Sequence, residues 1–450
     1  MKTTSDLTEW LYSNLDLIEE CKEKNIKPVV LIGGASSSGK SYTSKALKNF
    51  LIEKGYNPIV LSTDNYNKGI AENIFDIVNK KYYDGKLENK NQVIKEIKKI
   101  IIKSDFEYKF AENNLKKIKN KCKNLLDINL NDFVKQLKYE FEHINFDNKN
   151  IYNLAEVASD ISKLVKNQKI TEKKYSKMIS ERLNQNNIVD GKNFDVILVE
   201  GIYALTKNIT KHFDCDNIIK NFIDCNDKNL FLRRMIRDSS ITNCPKGFIL
   251  KNYLDYVAPE YYNNVLKTKT DADIVLNNNM TFEELREGEI DIQNKYQISL
   301  KEFNQLLKHC TSIKKMFMID TYFGNNNDEN VLRLRETKLA NSEYKIESLV
   351  YKGKAKLRKD KSLIRPNFEL ANQKELCDTF ESKNELVKKL AKAKIQVCKT
   401  VKKLRYILDY KNTKIKVDFT PENIVLETTE KLENLTKMTT EKQINEKILW

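Results

Sequence analysis

The run with the most evident chemistry is Gly34-Ala35-Ser36-Ser37-Ser38-Gly39-Lys40-Ser41, which has the spacing G-x-x-x-x-G-K-S. Glycines at its two ends let backbone N–H groups turn toward a chain of phosphates, and the helix that follows, marked by Thr43, Ala46, Leu47, Phe50 and Leu51, adds the positive end of its dipole. In such a loop the lysine reaches the β- and γ-phosphates and the hydroxyl of Ser41 ligates Mg²⁺. Gly34, Ser36, Ser37, Ser38, Gly39, Lys40, Ser41 and the adjoining Tyr42 are the expected ATP-binding set, with ATP and Mg²⁺ as cofactors. Three further groups bear on phosphoryl transfer. Glu200 closes the apolar run Val196-Ile197-Leu198-Val199, where a strand-end carboxylate either contacts Mg²⁺ or is merely solvated. Asp64 follows Leu61-Ser62-Thr63; it would take a proton from an attacking hydroxyl, help hold Mg²⁺, or cap a turn. Arg233 and Arg237, at i and i+4, share a helix face suited to the charge of a transferring phosphoryl group, the bland alternative being a solvated basic helix.

These groups need a scaffold that brings strand ends together. Pro28–Ile32, Pro58–Ser62, Val196–Val199, Asn221–Asp224 and Ala272–Leu276 are apolar runs without alternation, separated by helical patterns. That pattern predicts a parallel sheet covered by helices on both faces. Residues 5–24 predict a helix capped by Ser5 or Asp6, and residues 71–144 carry helical periodicity throughout, an inserted subdomain read as a packing appendage or lid.

After about residue 285 the texture changes to period-two alternation. Arg333 with Arg335, Lys352 with Lys354, and Lys403 with Arg405 fall on single faces of their strands, which predicts an antiparallel β domain with basic stripes.

A chain of 450 residues is long enough for two or three domains. The formal charge of +16 suits polyanionic ligands, but the lysines are spread along the whole chain, so nucleic acid is not the expected partner. Eight cysteines without a Cys-x-x-Cys pair, and only His143, His212 and His309, exclude a zinc knuckle or His-rich metal site and leave carboxylates and hydroxyls as metal ligands. No run approaches the roughly 20 apolar residues of a membrane span, so a cytoplasmic protein without membrane partners is expected.

The motifs GGASSSGKS at 33–41, LSTDNY at 61–66, ILVEGIYAL at 197–205 and FLRRMIRD at 231–238 together resemble the uridine kinase/phosphoribulokinase family of P-loop kinases. Asn145-Phe146-Asp147, Tyr175 and Ser180-Glu181-Arg182 add to the likeness. The resemblance implies that Asp64 is the catalytic carboxylate on the substrate side. It also implies that Tyr66, Tyr175 and Arg182 face the acceptor and that Arg233 and Arg237 belong to a mobile lid. The second half resembles the CYTH, or triphosphate tunnel, family in the order of Asp320-Thr321-Tyr322-Phe323, Leu332–Glu336, Val350–Lys354, Val401–Arg405 and Val417-Asp418. It implies a β-barrel whose lumen binds polyphosphate through Lys295, Arg333, Arg335, Lys352, Lys354, Lys403 and Arg405. Members open with Glu-x-Glu-x-Lys; this chain has Asp291-Ile292-Gln293-Asn294-Lys295, leaving Asp291 as the metal candidate there.

The expected architecture is an α/β P-loop kinase domain over 1–284 with its insertion at 71–144. An antiparallel β-barrel α+β domain follows over 285–450, with a C-terminal helical tail. The expected activity is phosphorylation of a hydroxyl on a nucleoside or similar small acceptor, the tunnel binding nucleotide or polyphosphate. The alternatives are a pyrophosphatase or triphosphatase acting through the tunnel, with the P-loop domain as nucleotide sensor, and a non-enzymatic binder of RNA or other polyanions.

Overall fold

Five apolar runs in the first half form one sheet, four of them largely buried and the fifth, Pro58–Ser62, a partly buried edge strand. The computed structural model describes residues 1–103, 112–177, 179–183, 187–213, 217–241, 244–279, 289–325, 330–339, 342–359, 362–410 and 413–429. The sheet strands are β1 (Lys2–Thr4), β2 (Val29–Gly34), β3 (Pro58–Ser62), β4 (Val196–Glu200), β5 (Ile218–Asp224) and β6 (Ile274–Asn277). Their spatial order is β1-β6-β5-β2-β4-β3, with every pairing parallel. Alternate residues of β2 serve opposite cores. Val29 and Leu31 pack with Ile197, Val199 and Phe222 on one side. Val30 and Ile32 pack with Trp10, Ile18, Leu47 and Leu198 on the other. A strand flanked this way has no polar face, which is why it reads as a continuous apolar run.

Helix α1 (Leu7–Glu23) is capped by Asp6, whose side chain accepts from the backbone N–H groups of Thr8 and Glu9. Helix α2 (Lys40–Glu53) follows β2 directly. The insertion is helical: α3 (Ile70–Tyr83), α4 (Lys90–Lys103), α5 (Glu112–Cys122) and α6 (Leu130–Glu142) enclose a separate core containing Ile74, Phe75, Val93, Ile97, Phe133 and Leu137. After it come α7 (Leu154–Val165), α8 (Lys207–Thr210) and α9 (Asp227–Ile241), with two short hairpins, Lys169–Thr171 with Ile188–Asp190 and Lys174–Ser176 with Glu181–Leu183, between α7 and β4. The strand β1 has no counterpart in the sequence reading, since three polar residues at a sheet edge leave no apolar run to detect.

The second half is a closed antiparallel barrel. Its strands are β7 (Glu289–Gln297), β8 (Ser312–Phe323), β9 (Val331–Leu339), β10 (Lys345–Lys352), β11 (Leu363–Asn372), β12 (Val397–Tyr410), β13 (Thr413–Phe419) and β14 (Ile424–Thr428). They run β7-β14-β13-β12-β8-β9-β10-β11, and β11 returns to β7 with Gln293 opposite Leu363 and Glu289 opposite Asn367. Closure removes the exposed edges that an open sheet of this size would present.

By contacts the chain divides into Met1–Cys244 with Asn252–Asn279, and Pro245–Lys251 with Met280–Trp450. Pro245–Lys251, which the sequence reading places in the first half, groups with the barrel. The backbone N–H of Lys246 donates to Glu375 Oε1 at 3.3 Å and its Nζ to the carbonyl of Glu369 at 2.8 Å. The expected C-terminal tail beyond residue 429 lies outside the described residues. Among the described residues no helix is long and apolar enough to cross a membrane.

Candidate active site

The phosphate loop links β2 to α2 through backbone conformations that glycine supplies. Gly34 has φ of 139° and Gly39 of 103°, and a Cβ at either would fall 2.4 Å from the Ile223 carbonyl or 2.2 Å from Asn278 Nδ2. Buried Lys40 curls back to donate to the Ala35 carbonyl at 2.7 Å. The hydroxyls of Ser37 and Ser38 are buried without a hydrogen-bond partner. Buried polar groups of this kind carry a desolvation cost unless something meets them. Two orphaned hydroxyls on a turn at a helix N-terminus therefore fit a phosphate chain. Tyr42 comes next with an exposed ring, so its backbone N–H is what it offers.

Strand register sets the remaining groups beside this loop. Glu200 lies opposite Ile32 on one side and Ser62 on the other, so β2, β4 and β3 end at one level. The Ser41 hydroxyl donates to Glu200 Oε2 at 3.2 Å. Asp64 stands two residues beyond β3 in a short 3₁₀ turn, Thr63–Tyr66, with Lys177 Nζ 2.8 Å from its Oδ2. One hydroxyl and two carboxylates on adjacent strand ends are hard oxygen donors of the kind Mg²⁺ takes.

The electrostatics follow from burial and from this crowding. Burial pulls the Lys40 amine down to about 8, against the opposing pull of Glu200 and Asp64. Burial raises the Glu200 carboxyl, and the Asp64 carboxylate adds to the rise. Burial also pushes Asp64 upward, but Lys177, Lys40 and Arg237 outweigh it and hold the group below its ordinary value. Asp64 is therefore held as a carboxylate.

The two arginines expected to share a task are divided. Arg233 is buried and donates to the carbonyls of Ser38 at 3.2 Å and Asn278 at 3.0 Å, gripping the loop from behind. Arg237 is one-third exposed, pairs with Asp238 at 2.8 Å, and adds to the positive field on Asp64. Between them Arg234, absent from the sequence reading, donates to the Ser36 hydroxyl at 2.6 Å and to both oxygens of Asp147 at 3.1 and 3.2 Å. It holds the loop, the 145–147 segment and, through Asp238, its own helix together.

The acceptor-side residues also differ in detail from expectation. Tyr66 is 2% exposed and its hydroxyl donates to Asp160 at 3.1 Å, a packing role that leaves little for a substrate. Arg182 is paired with Glu156 at 2.7 Å. Tyr175 faces Arg182 across the Lys174–Ser176 hairpin, and its backbone N–H donates to Asn65 Oδ1 at 3.2 Å. Burial raises the Tyr175 phenol, so it stays protonated. The residue this hairpin brings to Asp64 is Lys177. No signal distinguished it from its neighbours Lys173 and Lys174.

In the barrel, Lys295, Arg333, Arg335, Lys352, Lys403 and Arg405 line one cavity of about 330 Å³. Lys354 does not: it lies past the end of β10, where alternation no longer applies, and is exposed. Arg365 and Lys416, absent from the expectation, line it as well. Buried Asp320 receives both Arg335 nitrogens at 2.7 and 2.8 Å and lies 3.1 Å from Lys403. Burial would raise its carboxyl, but these cations and Arg333 hold it far below the carboxylate range. Asp291 sits opposite Arg365 in the register of β7 and β11, and its side chain lies outside the described residues.

A phosphate loop at a strand–helix junction, with oxygen donors on adjacent strand ends, defines a P-loop nucleotide-binding unit. Residues 93–283 match the model of the phosphoribulokinase / uridine kinase family, a region that begins after the loop and includes Glu200 and α9. The chain is 29% identical over 152 residues to uridine-cytidine kinase A of Dictyostelium discoideum, covering 33% of this chain and 29% of that protein. It is 25% identical over 134 residues to the uridine kinase of Lactobacillus helveticus, covering 30% of this chain and 61% of the relative. The chain thus spans less than two-thirds of the length of either relative. A solved structure described as a possible uridine kinase from Bacillus stearothermophilus aligns at 15% identity over 59% of this chain and 99% of that one, with a TM-score of 0.27. The P-loop unit is homologous, at low identity, to kinases of the uridine kinase/phosphoribulokinase family.

Proposed function

We propose that the P-loop half, residues 1–284, is an ATP- and Mg²⁺-dependent phosphotransferase acting on a hydroxyl of a nucleoside or similar small acceptor. The observation that carries this reading is the meeting of Lys40, Ser41, Glu200 and Asp64 at the ends of three adjacent strands, with Ser41 bonded to Glu200 and Asp64 held ionised. The loop amides and the Ser37 and Ser38 hydroxyls cradle the ATP phosphates, and Lys40 leaves the Ala35 carbonyl for a phosphate oxygen. Ser41 and Glu200, with Asp64 beside them, hold Mg²⁺, which when bound offsets charge on the phosphates. Asp64 orients the acceptor hydroxyl and receives its proton as the new O–P bond forms and the bond to the β-phosphate oxygen breaks, releasing ADP. Arg237 offers charge to the transferring group, while Arg233 and Arg234 keep the loop in shape.

For the barrel, residues 285–450, we propose binding of nucleotide or polyphosphate in the cationic cavity, in support of the kinase half. Gln293, a neutral amide lining the cavity, weighs against hydrolysis there. The test is incubation of the full chain with ATP, Mg²⁺ and a panel of nucleosides, with nucleoside monophosphates as the readout. The expected result is product from at least one acceptor and none from the Asp64→Asn protein, which still binds ATP. Absence of any product, together with ATP turnover unaffected by Lys40→Ala, would overturn the reading.

A further inference from the structure

The cavity of the barrel is not lined by cations alone: Asp418 and Glu427 line it too. Glu427 on β14 has Lys295 opposite it on β7 and Lys416 opposite it on β13, so one carboxylate lies between two lysines on the same face. Lys416 Nζ stands 3.3 Å from Glu427 Oε1. Asp418 receives both Arg405 nitrogens at 2.6 and 2.7 Å and has Lys403 at 2.8 Å. Burial would raise the Glu427 carboxyl, but Lys295, Arg405, Lys416 and Lys352 around it hold it well below the usual range.

A carboxylate committed to two or more cations is a poor ligand for a divalent ion. It would have to surrender those pairs, and the ion would then face the remaining positive charges at short range. Gln293, two residues before Lys295 on β7, is buried and contributes an amide to the lining where a third carboxylate would strengthen a metal site. A chain of phosphates meets the opposite situation: lysines and arginines on several strands, preorganised by their counter-charges and open to a stronger polyanion.

We propose that the barrel cavity binds a linear oligophosphate directly through its lysines and arginines, without a divalent cation, and that Glu427 is an internal counter-anion with which the ligand competes. This rests on the reading of the cavity as a phosphate site given above.

The test is calorimetric titration of the full chain with inorganic tripolyphosphate, in EDTA and in Mg²⁺, for the natural protein and for Glu427→Gln and Arg333→Ala. Binding weakened in Arg333→Ala assigns the signal to the cavity rather than to the phosphate loop. The expected result is Arg333-dependent binding in EDTA that Mg²⁺ does not strengthen, and a gain of about tenfold in affinity for Glu427→Gln from removal of the competing charge. Binding that appears only with Mg²⁺, or a Glu427→Gln protein that binds no better or not at all, would overturn the inference while leaving the cavity a phosphate site. If Glu427→Gln does not fold, the EDTA comparison on the natural protein decides alone. No Arg333-dependent heat in either buffer would instead sink the cavity's phosphate reading, and this inference with it.

Discussion

The phosphate loop and the barrel cavity both gather positive charge, by opposite means. In the loop, backbone amides, two orphaned serine hydroxyls and one buried lysine converge within a single turn. In the cavity the charge comes from side chains on several strands, kept in place by Asp320, Asp418 and Glu427. The difference shows what each site tolerates. Backbone amides carry no net charge and need no counter-ion, so the loop can be sparse. An array of guanidinium and ammonium groups repels itself, and only interleaved carboxylates let it fold.

The comparison is sharpest at Asp320, which is fully buried beneath the cavity cations. Asp320→Asn removes the counter-charge shared by Arg333 and Arg335 and leaves Lys403 with Asp418 alone, and is expected to cost about 3–5 kcal/mol of barrel stability, measured by urea unfolding. The sign with pH follows from its depressed carboxyl. The Asp320 contribution is fully present above the ordinary carboxylate pKa of about 3.9 and is lost as pH falls through the lower folded value. The natural barrel should therefore weaken in acid by more than the Asp320→Asn protein does. Equal acid sensitivity would show that the pair is not what holds the cations.

At the loop the expected loss is in rate rather than stability. Lys40→Ala should lower ATP-dependent phosphoryl transfer by about a hundred- to thousandfold, with unfolding near that of the natural protein and tripolyphosphate binding in the cavity intact. A destabilised Lys40→Ala protein would blur the distinction between the two sites.

Smaller effects probe each site's periphery. Arg333→Ala should weaken oligophosphate binding by about tenfold, read by titration calorimetry, and leave phosphoryl transfer alone. Lys177→Met frees the Asp64 carboxylate of its partner and should change the acceptor KM by roughly threefold, the scale of a partly exposed ion pair, without altering the ATP KM. An altered ATP KM would place Lys177 on the nucleotide side instead.

The same contrast explains what could be read from the sequence. The loop is contiguous, so its spacing alone located Gly34 through Ser41, and the apolar runs before it and around Glu200 located the strands that carry it. Period-two alternation found Arg333, Arg335, Lys403 and Arg405 because those strands are regular through the cavity. It misplaced Lys354, which follows the end of β10, and passed over Arg365, the one basic residue of β11, and Lys416, which alternates with Lys414 on β13. Arg234 was hidden between two arginines at helical spacing. Its importance comes from Asp147 and Ser36, residues 87 and 198 positions away, and such partners are not visible in a local pattern. Tyr66 was legible as a residue beside Asp64 but not as one whose hydroxyl is committed to Asp160.

The most direct test of the account is acceptor phosphorylation measured side by side in Lys40→Ala and Arg333→Ala proteins, with released inorganic phosphate followed in the same samples. The account predicts that Lys40→Ala loses nucleoside monophosphate formation and Arg333→Ala retains it, with no phosphate release that depends on Arg333. Phosphate release abolished by Arg333→Ala and untouched by Lys40→Ala would contradict it and move the chemistry into the barrel.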